Sequence, residues 1–153
     1  MISYVATECV PNHIPRAPLI CLSQTGFGDL QSGQDEVGIM RSRDYLNGLI
    51  EKEIDAGVPS ERIVLGGFSQ GGAMSLFAGV TSPVKLGGII GLSSYLLLAE
   101  KIKSMIPEGN PNKDTPIFMG HGSADPLVLP QWGMKTASIL EEMGHNVDFK
   151  MYM

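Results

Sequence analysis

A chain of 153 residues, 43% hydrophobic and 18% charged, holds enough apolar material for one globular domain with a sizeable core. Eleven basic against 16 acidic residues leave a net charge of −5, which argues against a nucleic-acid partner, since that needs a basic face. Two cysteines, Cys9 and Cys21, are too few for a disulfide framework and fit no zinc or redox spacing, so a reduced, intracellular setting is expected.

Residues 1–34 read as an irregular leader within the single domain 1–153. Pro11, Pro15 and Pro18 crowd one stretch, and Gly26, Gly28 and Gly33 another. Residues 19–22 are a candidate strand there and the rest reads as loop. From residue 35 the order becomes regular. Residues 35–56 read as a helix, because Ile39, Tyr45, Leu46, Leu49, Ile50 and Ile54 recur close to one helical face. Gly57 and Pro59 close it. Ile63-Val64-Leu65 is a short β-branched run that suggests a buried strand. Residues 70–81 read as a helix ended by Ser82-Pro83. Residues 86–92 form a further apolar run, and 99–106 a helix stopped by Pro107. Residues 116–119 predict a strand, followed by a loop over 121–130. A helix over 131–143 has Gly144 placed as its C′ residue. Alternation of Val147, Phe149, Met151 and Met153 with more polar neighbours predicts a last strand. Parallel strands need crossovers, and helices supply them, so the expectation is an α/β fold: a mostly parallel sheet with helices on both faces.

Gly67-Phe68-Ser69-Gln70-Gly71 matches G-x-S-x-G. In that motif the serine sits on a tight, strained turn between strand and helix, where flanking side chains would clash. The turn pushes the hydroxyl out at the carboxyl edge of the sheet. The following helix aims its free N–H groups at the same place, which makes the backbone N–H of Gln70 a candidate oxyanion donor. The competing reading is a glycine-rich turn with an incidental serine. A predicted strand just before and a predicted helix just after favour the nucleophile. Asp125, in His121-Gly122-Ser123-Ala124-Asp125-Pro126, follows a strand and is a candidate acid that orients a histidine. Taken by itself it reads more readily as a turn cap before proline; the order Ser then Asp favours the acid.

A base is harder to find. His13 falls in the leader, His121 directly follows a strand and is expected to bond within its loop, and His145 precedes the last strand, at the edge away from Ser69. Ser94-Tyr95-Leu96-Leu97-Leu98 follows a strand, so Leu96 is a candidate for lining an acyl channel, with core packing as the alternative. Gly26-Phe27-Gly28-Asp29 lacks the lysine and the strand-to-helix setting of a phosphate loop. No His, Cys or Glu cluster suggests a metal, and no cofactor is expected. No apolar run approaches the ~20 residues of a membrane span, so stable membrane insertion is not expected. The first residues lack the basic and apolar regions of a signal peptide, and lipidation motifs are missing. A lipid is therefore expected as substrate rather than anchor.

Residues 59–73, Pro59-Ser60-Glu61-Arg62 through Gly71-Gly72-Ala73, resemble the signature of acyl-protein thioesterases of the fungal type 1 kind, within the phospholipase/carboxylesterase family of α/β-hydrolases. So do residues 107–122, Asp125-Pro126 and 146–150. The resemblance is close from about residue 35 to 152 and faint before. It implies a truncated α/β-hydrolase fold and a serine hydrolase that cleaves palmitoyl thioesters on protein cysteines, and other carboxylic esters or lysophospholipids. S-acylated proteins or small acyl esters are then the substrates, and lipid metabolism the setting. It implies Ser69 as nucleophile, Asp125 as acid and Gln70 as oxyanion donor. The family's His-Gly-Leu-Gly-Asp loop has no counterpart here, nor does its Gly-Met-Gly-His segment with the catalytic histidine. The alternative expectation is thus a truncated, impaired or inactive paralogue that binds acyl chains or proteins. The missing targeting signals favour the cytoplasm, and the resemblance adds the nucleus.

Overall fold

The computed structural model describes residues 3–7 and 33–153; His13 and the candidate strand at 19–22 lie outside the described residues. Among the described residues, five strands form one sheet in the order β1 (Ser3–Thr7), β2 (Ile63–Phe68), β3 (Gly88–Leu92), β4 (Ile117–Gly122) and β5 (Val147–Tyr152). All four pairings are parallel. The described helices between them are α1 (Glu36–Asp55), α2 (Gln70–Val80), the short α3 (Ile102–Met105) and α4 (Pro130–Glu142). The parallel α/β sheet expected from the alternation is therefore present.

Three local differences have physical causes. Ser3–Thr7, read as loop, is strand β1, whose backbone pairs with Ile63–Gly67 of β2; five residues are too few to display a pattern unless a neighbouring strand is known. Strand β2 runs on through Gly66 and Gly67, which have no side chains to alternate but pair with Ile90 and Gly91. Helix α3 is four residues rather than eight. Leu98 takes φ +47 and its N–H is held by Gln34 Oε1 at 2.8 Å, so the chain turns before the helix starts.

Capping and packing explain the long elements. Asp35 caps α1 by accepting the Gly38 N–H at 2.9 Å, and Ile39, Leu46 and Ile50 are buried. Helix α2 is buried from Gly72 to Val80, as an apolar helix must be when sheet and α1 enclose it. Ile63, Leu65, Ile89, Gly91, Ile117 and Met119 alternate inward on one sheet face. On that face Leu76 of α2 abuts Gly91, Gly79 abuts Ile89, and Gly133 of α4 abuts His121. The other face carries Val64, Ile90 and Phe118, half-buried, and the exposed Asp148 and Lys150. Among the described residues, no helix is long and apolar enough to cross a membrane.

Candidate active site at the carboxyl edge of the sheet

Because β2, β3 and β4 are parallel neighbours, the turns that follow them open at one edge. Ser69 comes directly after β2, Ser93 directly after β3, and Asp125 three residues after β4. With strands ~4.8 Å apart, the β2 and β4 ends are separated by about 10 Å, with β3 between them. Backbone hydrogen bonds continue the ladder past the strand ends. The Ser69 N–H donates to Leu92 O at 2.8 Å, Ser93 N–H to Gly120 O at 2.8 Å, and Ser123 N–H to Tyr152 O at 2.7 Å.

Ser69 has φ +54 and ψ −122, a conformation that favours glycine. Its carbonyl accepts the Ala73 N–H at 2.9 Å, opening α2, while its side chain makes no capping bond to the helix. The hydroxyl is thus not consumed by the helix it precedes. Gln70, half-buried, is the first residue of α2, where backbone N–H groups lack intrahelical acceptors. A close approach fixes this turn: a Cβ at Gly72 would stand 2.8 Å from Gly67 O and 2.8 Å from Ser94 Cβ.

Asp125 is held from several directions. Its Oδ1 accepts the N–H groups of Leu127 and Val128, each at 3.0 Å. Desolvation, the largest single influence, works to raise the carboxyl's pKa. The two backbone N–H groups, Ser93 and nearby His121 together outweigh it and hold Asp125 below its usual value. An ionised carboxylate at this edge is what an acid that orients an imidazole requires.

His121 and His145 stand elsewhere. His121 is buried and its Nε2 lies 2.8 Å from Val128 O, inside its own loop; the same nitrogen is 3.9 Å from Asp125 Oδ2. His145 sits at the opposite edge with Nδ1 3.2 Å from Asn112 O, and burial lowers its pKa. Asn112 is the centre of that edge: its side chain bonds Leu86 N–H, Thr115 Oγ1, Ser82 O and Val84 O. Leu96 is fully buried, and its N–H donates to Thr136 Oγ1 of α4 at 2.9 Å. That is the core placement its alternative reading gave. Beside it Tyr95 meets Trp132 edge to face at 6.5 Å, and burial pushes the Tyr95 phenol up to about 12. These contacts pin the 93–98 loop to α4. The sequence reading missed Ser93; its only signal was a place directly after an apolar run. Among the described residues no group of three or more His, Cys, Asp or Glu could hold a metal ion.

Known proteins share this arrangement of sequence and fold. The sequence pattern of the phospholipase/carboxylesterase family matches residues 26–153. Acyl-protein thioesterase 1 of Neurospora crassa is 55% identical over 123 residues, 80% of this chain and 50% of that protein. Acyl-protein thioesterase 1 of Emericella nidulans is 51% identical over 127 residues, 82% of this chain and 53% of that protein. The chain thus spans about half the length of the curated relatives it matches. The crystal structure of Arabidopsis thaliana SOBER1 aligns with a TM-score of 0.72 and 34% identity, over 77% of this chain and 55% of that one. Zea mays acyl-protein thioesterase 2 aligns with a TM-score of 0.64 and 27% identity, over 75% and 55%. On these grounds the chain belongs to the phospholipase/carboxylesterase family.

Proposed function

We propose that the chain is the nucleophile- and acid-bearing part of a serine hydrolase of the acyl-protein thioesterase type. In this reading it hydrolyses palmitoyl thioesters on protein cysteines, and small carboxylic esters besides, in the cytoplasm and nucleus. The backbone of Ser69 carries the proposal: a non-glycine residue at φ +54 between a strand and the N-terminus of a buried helix. Such strain persists only where its surroundings impose it, and it presents the hydroxyl beside helix N–H groups that lack intrahelical acceptors. The names of the fungal relatives support the substrate class.

In the proposed reaction Ser69 Oγ attacks the thioester carbonyl carbon. Its proton passes to a histidine oriented by Asp125, and the Gln70 N–H stabilises the oxyanion. The C–S bond then breaks, the cysteine sulfur leaves as a thiol with that proton, and the acyl group stays on Ser69 as an ester. Water, deprotonated by the same base, releases the fatty acid. A serine without its base is a poor nucleophile at neutral pH.

A second reading, an impaired paralogue that binds acyl chains or proteins, is favoured by the two histidines among the described residues. His121 is engaged by Val128 O and His145 lies at the far edge, so neither is presented between Ser69 and Asp125. Labelling with a fluorophosphonate probe, read by intact mass, together with palmitoyl-thioester turnover, separates the two. The hydrolase reading expects one adduct and turnover, both abolished in Ser69→Ala. A folded chain with neither adduct nor turnover establishes the second reading.

A further inference from the structure

We propose that the outer edge of β5 pairs antiparallel with β5 of a second copy of the chain, about a twofold axis at Phe149. Nothing in this pairing depends on the hydrolase reading. Strand β5 ends the sheet order, and among the described residues no strand lies beyond it. Its phase is fixed by the bonds to β4. The Ile117 N–H donates to Asn146 O at 2.9 Å and the Ser123 N–H to Tyr152 O at 2.7 Å, so the even-numbered residues turn their backbone polar groups toward β4. Val147, Phe149 and Met151 therefore turn theirs to the outer edge. A row of outward N–H and C=O groups is a template for another strand.

The side chains select the occupant and the register. A second β5 can bond only with odd-numbered residues facing odd-numbered ones, which twofold registers centred on Asp148, Phe149 or Lys150 all satisfy. Centred on Asp148, aspartate faces aspartate; centred on Lys150, lysine faces lysine. Like charges directly opposite are destabilising. Centred on Phe149, Asp148 of each copy faces Lys150 of the other, Val147 faces Met151, and Phe149 faces Phe149. The charged pairs then fall at non-hydrogen-bonded positions, where facing Cα atoms stand about 4.5 Å apart and side chains are closest. Within one chain Lys150 Nζ lies 3.2 Å from Asp148 Oδ2, and both side chains are more than half exposed. So exposed a pair contributes little, and exchanging it for pairs across the axis costs little. A lone edge lysine discourages pairing. A lysine two residues from an aspartate is instead self-complementary about the residue between them, which is a property a second copy matches by symmetry.

Sedimentation equilibrium of the 153-residue chain over a range of concentrations tests the pairing. Wild type is expected to show a reversible monomer–dimer equilibrium. Asp148→Lys places lysine against lysine across the axis, and Lys150→Asp places aspartate against aspartate, so each alone should associate roughly tenfold more weakly. Mixed together, the two single variants should dimerise as wild type does, because each then faces the opposite charge. The double variant Asp148→Lys/Lys150→Asp should dimerise by itself. Both side chains are exposed, so the variants are expected to keep the fold, which circular dichroism checks. A wild type that stays monomeric throughout overturns the proposal, as does one that grows beyond a dimer. Single variants that associate as wild type does, or a mixture no tighter than its components, overturn it equally, since the charges then do not set the pairing.

Discussion

Ser69 stores strain at the point where chemistry is proposed. A non-glycine residue at φ +54 costs on the order of 1–3 kcal/mol, whereas glycine enters that region freely. Glycine's own entropic cost is about 0.5–1 kcal/mol. Strain relief is the larger of the two, so Ser69→Gly should be more stable than Ser69→Ala by about 1 kcal/mol. Urea unfolding midpoints at matched m-values check this; equal midpoints would show that the elbow is unstrained. At this scale the sequence was legible where chemistry has a local signature. Ser69 and Asp125 were named from the residues beside them. The place of Ser93 beside both turns had no such signature, because it depends on β3 lying between β2 and β4. The ambiguity at Leu96 had the same origin: a leucine after a strand suits a channel or a core, and Thr136 is 40 residues away.

Elements are placed by close approaches more than by propensity. Gly72 sits inside the first turn of α2, where alanine would be the better helix former by about 1 kcal/mol. Its Cβ would, however, meet a backbone oxygen, Gly67 O, at 2.8 Å, and a backbone cannot rotate away as a side-chain tip can. Overpacking of this kind costs about 1–3 kcal/mol and wins over propensity. Gly72→Ala is therefore expected to lower stability by about 1–2 kcal/mol and to slow probe labelling of Ser69 by displacing the helix start. A stabilised variant with unchanged labelling would show the contact to be soft. The helices were legible because apolar residues recur on one face over many turns, as Ile39, Leu46 and Ile50 do in α1. Strand β1 and the glycine half of β2 were not, since pairing with a neighbour rather than any local pattern makes them strands.

For the whole molecule, alternation of strand and helix foretold the parallel sheet but not its order. Sequential order, β1 through β5, means that every crossover joins nearest neighbours. It brings the turns carrying Ser69, Ser93 and Asp125 side by side although they are up to 56 residues apart in the chain. No linear pattern encodes that adjacency, because strand order is decided by how the helices pack on the sheet. The same order leaves Phe68 and Tyr152 exposed at the carboxyl edge, 62% and 53% respectively.

The three amide bonds that run past the strand ends have a consequence for fluctuation. Ser69, Ser93 and Ser123 lie in turns, where amide protons ordinarily trade with solvent through small local openings. Each of these is instead stitched to the next strand, from Leu92 to Gly120 to Tyr152. To expose any one of them, the edge must part along a seam rather than at a single turn. Their hydrogen–deuterium exchange should therefore be slow and should respond to urea with the large slope of the central strands, while Ala124, one residue past the seam, exchanges quickly. A site assembled from three turns would then breathe as one cooperative body, opening only when the sheet itself does.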